Sequence, residues 1–499
     1  MSKGKVVIIG SGLGGLSSGV ILAANGYEVT ILEQSPVPGG CLQCFSRRGV
    51  KFETGMHYIG SAAPGQAMDK MLGYLGVRED LTLSRLDDAG YDIISIGGRD
   101  YPFACGREPF IETLGRFFPS EKDNLARYLD VVDRVSEASA MQSLDFAGAN
   151  TAEILKYQLS SVGEVLDRVT GNPELSSVLA GNLPLYAGVR DKTPFATHAF
   201  ITKFYNNSAF RIAGGSDAVA KSLITTLQSF DGQLFTSCKA TQIVCRDGVA
   251  AGVVAGGRFF PADVVISDAH PAVTVGLFPE GILRPAYRER ILSAPQTSGA
   301  FCLYLEFKDG QVPYMNSNYY YYDKSTPWGC EDYPAGSWPE GGLYMHFCHE
   351  LEPVFAKAGV VITYMRAEEL EPWAGTVTGR RGASYEAFKE AKAQKLLASL
   401  ERRFPGLSGK IANYYTSTPL TNRDYIGSPG GSMYGVLHDV NLGPATRISH
   451  RTRVPNVLQT GQNINSHGIL GVLVGTIVTC SELLGAEALF AKIKSGRLS

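Results

Sequence analysis

Apolar and polar positions alternate along this chain with two different periods, and the first forty residues show both. Val6, Val7, Ile8 and Ile9 form a wholly apolar β-branched run that stops at Gly10, which predicts a parallel strand buried on both faces. Residues 12–25 then read as a small-residue helix ended by Gly26, and residues 28–33 as a second strand. Together they predict a βαβ unit of about thirty residues. Further on, Leu125, Tyr128, Leu129, Val132 and Val135 recur at helical spacing, predicting a helix over 120–141 with Ser120 as N-cap. A second amphipathic helix is predicted over 152–169.

Residues 91–103, 299–307, 342–348 and 360–365 are β-rich and predict a second sheet. Gly214, Gly215, Ser216 and Asp217 read as a turn and N-cap for a helix over 218–229, followed by strands at 240–244, 249–254 and 262–267. Near the end, residues 455–460 are strand-like, Gly461 turns the chain, and a helix is predicted over 468–484. Three separated α/β pieces (1–75, 206–289 and 421–499) therefore predict one discontinuous nucleotide domain. Residues 76–205 and 290–420 would build a substrate domain.

Composition narrows the function. The 499 residues are 44% hydrophobic and 19% charged, as in a large globular protein. The formal charge of -2 gives no electrostatic case for a nucleic-acid partner. Nine cysteines, odd in number and mostly scattered, do not suit a secreted disulfide framework and favour a reducing, cytoplasmic setting. The strand at 5–9 leaves no room for a signal peptide before it. The apolar segment 468–480 is too short to span a membrane and reads as a buried helix. Glycine, at 57 residues, is in excess of the usual ~7%, which suggests close backbone approach to a ligand.

Gly10, Gly12 and Gly15 satisfy GxGxxG between the first strand and helix, and Glu33 ends the second strand. These glycines allow the turn, the approach of a pyrophosphate and close helix–strand packing, while the helix N-terminus offers N–H groups to the anion. Glu33 would accept hydrogen bonds from an adenosine ribose. Gly39 and Gly40 follow at once, and this second glycine pair favours FAD over NAD. Cys41 and Cys44 make a CxxC near where flavin disulfide reductases carry redox cysteines, but the spacing is shorter than usual in those enzymes and no second dinucleotide motif appears. No second CxxC or paired His motif supports a metal site.

Gly39-Gly40-Cys41, the stretch from Phe52 to Gly60, Gly214-Gly215-Ser216, Pro419-Leu420-Thr421-Asn422, Thr460-Gly461-Gln462 and Gly468-Ile469-Leu470-Gly471 occur in one order along the chain. In this the sequence resembles the retinol saturase branch of the phytoene desaturase and carotenoid isomerase superfamily. The resemblance implies an α/β fold with a discontinuous Rossmann-type FAD-binding domain and an inserted α+β substrate domain. It places Gly10, Gly12, Leu13, Gly14, Gly15, Glu33, Gln34, Gly39 and Gly40 at the adenosine diphosphate half, with the Ala240 backbone at the adenine. Gly461 and Gln462 would lie by the ribityl chain. The helix opening at Gly468, Ile469 and Leu470 would point its N-terminus at the flavin, where a reduced anionic ring carries charge.

His57, Tyr58 and His467 are, on the same resemblance, the titratable residues nearest the flavin. Reduction of an alkene needs a proton on the second carbon, for which Tyr58 or His57 is the candidate, and both also suit plain structural hydrogen bonding. The tyrosines at 314 and 319–322 suit either a channel for a flat apolar substrate, a sheet edge or a dimer contact. The expected activity is reduction of a carbon–carbon double bond in an apolar isoprenoid or polyene, with NAD(P)H a candidate donor. Desaturation or cis–trans isomerisation is the alternative, and a prenyl-binding protein without catalysis a weaker one. Peripheral membrane contact is compatible with an apolar substrate, and nothing in the sequence sets an oligomeric state.

Overall fold

The computed structural model describes residues 2–139, 150–334 and 336–498. Strand β1 (Lys5–Ile9), helix α1 (Leu13–Ala24) and strand β2 (Glu28–Leu32) form the expected βαβ unit. Strands β3 (Gln233–Phe235), β4 (Val264–Ser267) and β5 (Val457–Gln459) complete a five-stranded parallel sheet in the order β3-β2-β1-β4-β5. Val6, Val7 and Ile8 are at most 2% exposed, as the unbroken apolar run requires. Helix α2 (Gly468–Leu484) packs along α1, so that both helices run from the same edge of the sheet. Small residues permit this: a Cβ on Gly15 would stand 2.1 Å from the Gly10 carbonyl oxygen, and one on Gly14 2.8 Å from the Gly461 nitrogen. An antiparallel meander (Ala240–Arg246, Val249–Ala255, Arg258–Pro261) leads back into β4.

The second sheet has seven strands, in the order Ile411–Ser417, Gly299–Phe307, Ala358–Met365, Gly341–Phe347, Asn318–Tyr322, Asp92–Ile96, Arg99–Phe103. It is antiparallel except where Asn318–Tyr322 runs parallel to Asp92–Ile96, with Asn318 opposite Asp92. The tyrosine strand is thus interior, which removes the sheet-edge reading. Helices between Arg107 and Asn207 pack on this sheet, with Tyr101 against Phe117 and Phe118 at 5.0 and 5.6 Å between ring centres. The α/β class with a second, mixed sheet is as expected.

Two helices depart from expectation. The one predicted from Ser120 begins at Lys122 after a short 3₁₀ turn, with Glu121 in place of Ser120 at the cap, and is described to Glu137; the predicted end at 141 lies outside the described residues. The predicted helix over 152–169 is two, Thr151–Gln158 and Val162–Val169. Ser161 and Glu164 form a capping box that satisfies free N–H groups at a new start, and this local bonding breaks the longer helix. Among the described residues no helix is long and apolar enough to cross a membrane.

Candidate flavin and substrate site

The edge of the parallel sheet where α1 and α2 begin gathers the glycines from three parts of the chain. Gly10 takes φ +99°, a left-handed conformation, to turn the chain from β1 into α1. A Cβ on Gly40 would meet the Gly12 Cα at 3.1 Å, and the Gly39 N–H donates to the Ser11 carbonyl at 3.0 Å, so the second glycine pair lies against the first. Glu33 is 8% exposed, and both its carboxylate oxygens are engaged. One accepts from the Ser11 N–H (2.9 Å) and hydroxyl (2.6 Å), the other from the Ser35 N–H (2.7 Å). The carboxylate therefore braces the loop whose glycines form the cradle. The Cys238 N–H donates to the Glu33 carbonyl at 2.7 Å, which brings the start of the meander, with Ala240, to the end of β2. Gln34 is exposed beside Gly427.

These features suit FAD. At Gly14, Gly15 and Gly40 a Cβ would press on backbone, and at Gly12 and Gly461 on the Asp268 side chain, so the cradle admits only glycine there; it lies at two helix N-termini. At the far end His467 is the N-cap of α2, makes no side-chain capping bond, and leaves its buried Nε2 without a partner. Gly468 opens the helix at φ +73°, with Ile469 and Leu470 buried behind it. A polar atom of a ring system set against this helix start would satisfy that nitrogen.

The three candidate catalytic residues have distinct surroundings. Burial, with His438 nearby, pushes His467 down to about 3, so it is neutral and unsuited to act as a protonated acid. Its ring lies 4.5 Å from that of Tyr434, which sequence reasoning had not singled out. His57 Nδ1 faces Glu53 Oε2 at 3.5 Å, and the other Glu53 oxygen accepts the Ser216 N–H at the start of helix Asp217–Ser229. Tyr58, its neighbour, has different partners. Its hydroxyl is 2.7 Å from the Tyr320 hydroxyl and 3.4 Å from Asp92 Oδ2, and its ring lies 4.5 Å from Tyr205.

Asp92 is fully buried, and this is the residue sequence reasoning missed most plainly. Its Oδ1 accepts from Asn318 Nδ2 at 2.8 Å, and Asn318 Oδ1 in turn accepts from Arg211 at 2.9 Å. Burial raises Asp92 to about 7, against the opposing pull of Asn318, Tyr58 and Arg211. Burial and the Asp92 charge push the Tyr58 phenol well above its ordinary value, so it keeps its proton. A lone Asp within an apolar strand carries no motif; only the parallel pairing with Asn318 shows its role.

Cys41 and Cys44 are free thiols, each raised by burial to about 11. Neither has the depressed thiol pKa that disulfide exchange uses. No cluster fit for a metal ion occurs among the described residues.

A parallel dinucleotide sheet, its glycine cradle and the mixed second sheet define an FAD oxidoreductase. The chain belongs to the flavin containing amine oxidoreductase family, which matches residues 13–313. It is 29% identical to human all-trans-retinol 13,14-reductase across 98% of this chain and 87% of that protein. Prolycopene isomerase 2 of an Oncidium hybrid cultivar is 24% identical across 97% and 84% of the two chains. In fold it is similar to an oxidoreductase from Methanosarcina mazei, with a TM-score of 0.63, 16% identity and coverage of 95% and 99%. The superfamily suggested by the sequence motifs is thus the one its relatives occupy.

Proposed function

We propose that this protein uses FAD to reduce a carbon–carbon double bond of an apolar polyene or isoprenoid, with Tyr58 as the proton donor. The observation that carries the chemistry is the buried pair of the Tyr58 hydroxyl and the Asp92 carboxyl, with the Tyr320 hydroxyl as the second partner of Tyr58. The similarity to the retinol reductases favours reduction, and that to the prolycopene isomerase keeps isomerisation as the second reading. The FAD half is assigned to residues 1–75, 206–289 and 421–499, with the cradle glycines, Leu13, Glu33 and Gln34 at the adenosine end, Ala240 at the adenine and Gly461, Gln462 and residues 468–470 towards the flavin.

Bound FAD supplies the electron pair, for which NAD(P)H is the donor to test first. The chain supplies the rest. An alkene carbon is a weak base, so its proton must come from an acid already in place. Tyr58 keeps its proton at neutral pH, and Asp92, titrating near 7, refills it without solvent entering the site. Tyr322, Ile362, Tyr364 and Met433 line a small, mostly apolar cavity beside Pro184, on the same sheet that carries Asp92 and Tyr320. Exposed Leu351, Val354 and Phe355 on one loop support peripheral contact with a membrane from which such a substrate is drawn.

Stopped-flow mixing of the reduced protein with polyenes and enones isolates this half-reaction from the electron donor. Tyr58→Phe should slow flavin reoxidation by roughly 10²- to 10⁴-fold with the flavin spectrum unchanged. Reoxidation at the wild-type rate would remove Tyr58 from the role. If no alkene reoxidised even the wild type, reduction itself would give way to isomerisation or desaturation.

A further inference from the structure

The glycine cradle is shared with a carboxyl group of the protein itself. Asp268 follows directly on β4, and its N–H donates to the Ile9 carbonyl at the end of β1 (2.8 Å), which aims the side chain across the loop between β1 and α1. Cβ atoms on Gly12, Gly14 and Gly461 would stand 2.5, 2.5 and 2.4 Å from its carboxyl oxygens, and one on Gly15 at 3.2 Å. The glycines that leave room for a pyrophosphate therefore also leave room for this carboxyl, at the N-terminus of α1. Two full anions in one small concavity repel each other.

We propose that Asp268 takes up a proton when FAD binds, so that its carboxyl meets the pyrophosphate as a neutral hydrogen-bond donor. This rests on the flavoprotein reading and goes beyond it, since a glycine cradle needs no acid in it. The charges around Asp268 agree. Burial raises it to about 7; the Gly15 and Gly12 N–H groups oppose that rise, and the Glu33 carboxylate adds to it. The other ionisable groups in reach are neutral: Cys41 is raised to about 11, and burial lowers His270, two residues on and bonded to Gln296, to about 4. No cation among these compensates a second negative charge, so the proton is the available neutraliser.

The test is FAD affinity against pH, read by flavin fluorescence on the full chain freed of flavin. The pyrophosphate keeps its charges between pH 6 and 8.5. A carboxyl titrating near 7 that must be protonated on binding weakens wild-type affinity about 30-fold from pH 6 to 8.5. Calorimetry at pH 8 in buffers of different ionisation enthalpy should show about one proton taken up per FAD. Asp268→Asn, which donates without a proton, should bind with less than a threefold change over the same range and take up none. Wild-type affinity that is flat with pH, with no proton uptake, overturns the inference and leaves the flavoprotein reading intact. A pH dependence that persists in Asp268→Asn also overturns it, by assigning the proton elsewhere. A chain that binds no FAD at any pH overturns both.

Discussion

Replacing Asp92 by Asn should stabilise the protein at neutral and alkaline pH while leaving it little changed in acid. The wild-type carboxyl is fully buried and titrates near 7, against an ordinary value of 3.8. Between those values the folded chain holds a proton that the unfolded chain has lost. Its contribution is therefore complete below about pH 4 and is lost as pH rises to about 7, at roughly 1.4 kcal/mol per unit. Over pH 5 to 8 that amounts to about 3 kcal/mol. The amide can still accept from Asn318 and meet the Tyr58 hydroxyl, so packing is kept. Urea unfolding of both proteins at pH 5, 6, 7 and 8 measures the difference, in which other titrating groups, Asp268 among them, cancel. The advantage of Asp92→Asn should grow by about 3 kcal/mol across the series and level off above pH 7. A constant offset would refute the reasoning: Asp92 would then be ionised throughout, its charge carried by Arg211 through Asn318, and it could not refill Tyr58.

Gly14→Ala should cost roughly 1–3 kcal/mol of FAD binding, because its Cβ meets the Gly461 backbone at 2.8 Å and Asp268 at 2.5 Å; a full flavin-to-protein ratio in the purified variant at micromolar concentration would count against the cradle. A Cys41→Ser, Cys44→Ser double variant should keep flavin and turnover, since both thiols stay protonated at neutral pH; lost turnover with flavin retained would revive disulfide chemistry.

Where an element was bounded by its own residues, its limits could be read from sequence. The strand Gly299–Phe307 and the helix Gly468–Leu484 agree with expectation to the residue, because an apolar run ends at glycine or polar residues at each side. The break at Ser161 was hidden, since a capping box competes with helix continuation on terms that apolar spacing does not record. The 21-residue helix Ala383–Arg403 is not marked by apolar spacing, because its buried face mixes Tyr385, Lys392 and Ser399 with Ala393, Leu396 and Leu400. In the site, the glycine motif announces itself through spacing. Asp92 and Asp268 do not, because each acquires its meaning from a partner far away in the chain: Asn318 for one, Gly461 for the other. A Ser-Asp-Ala-His-Pro run closing a buried strand was the one available hint of Asp268.

The order of strands in the parallel sheet has a temporal side. β1 pairs with β2 some twenty residues further on (Lys5 with Glu28), but its other neighbour, β4, begins at residue 264, and the strand beyond that at residue 457. At synthesis rates of roughly 5–20 residues per second, the first glycine loop waits on the order of a minute for Gly461 and α2 to emerge and close the cradle over it. During that interval the nascent chain presents an unpaired edge of β-branched residues. Cofactor can lock the fold only after residue 461 and the helix behind it have emerged, so flavin supply during expression should govern how much chain survives as native protein.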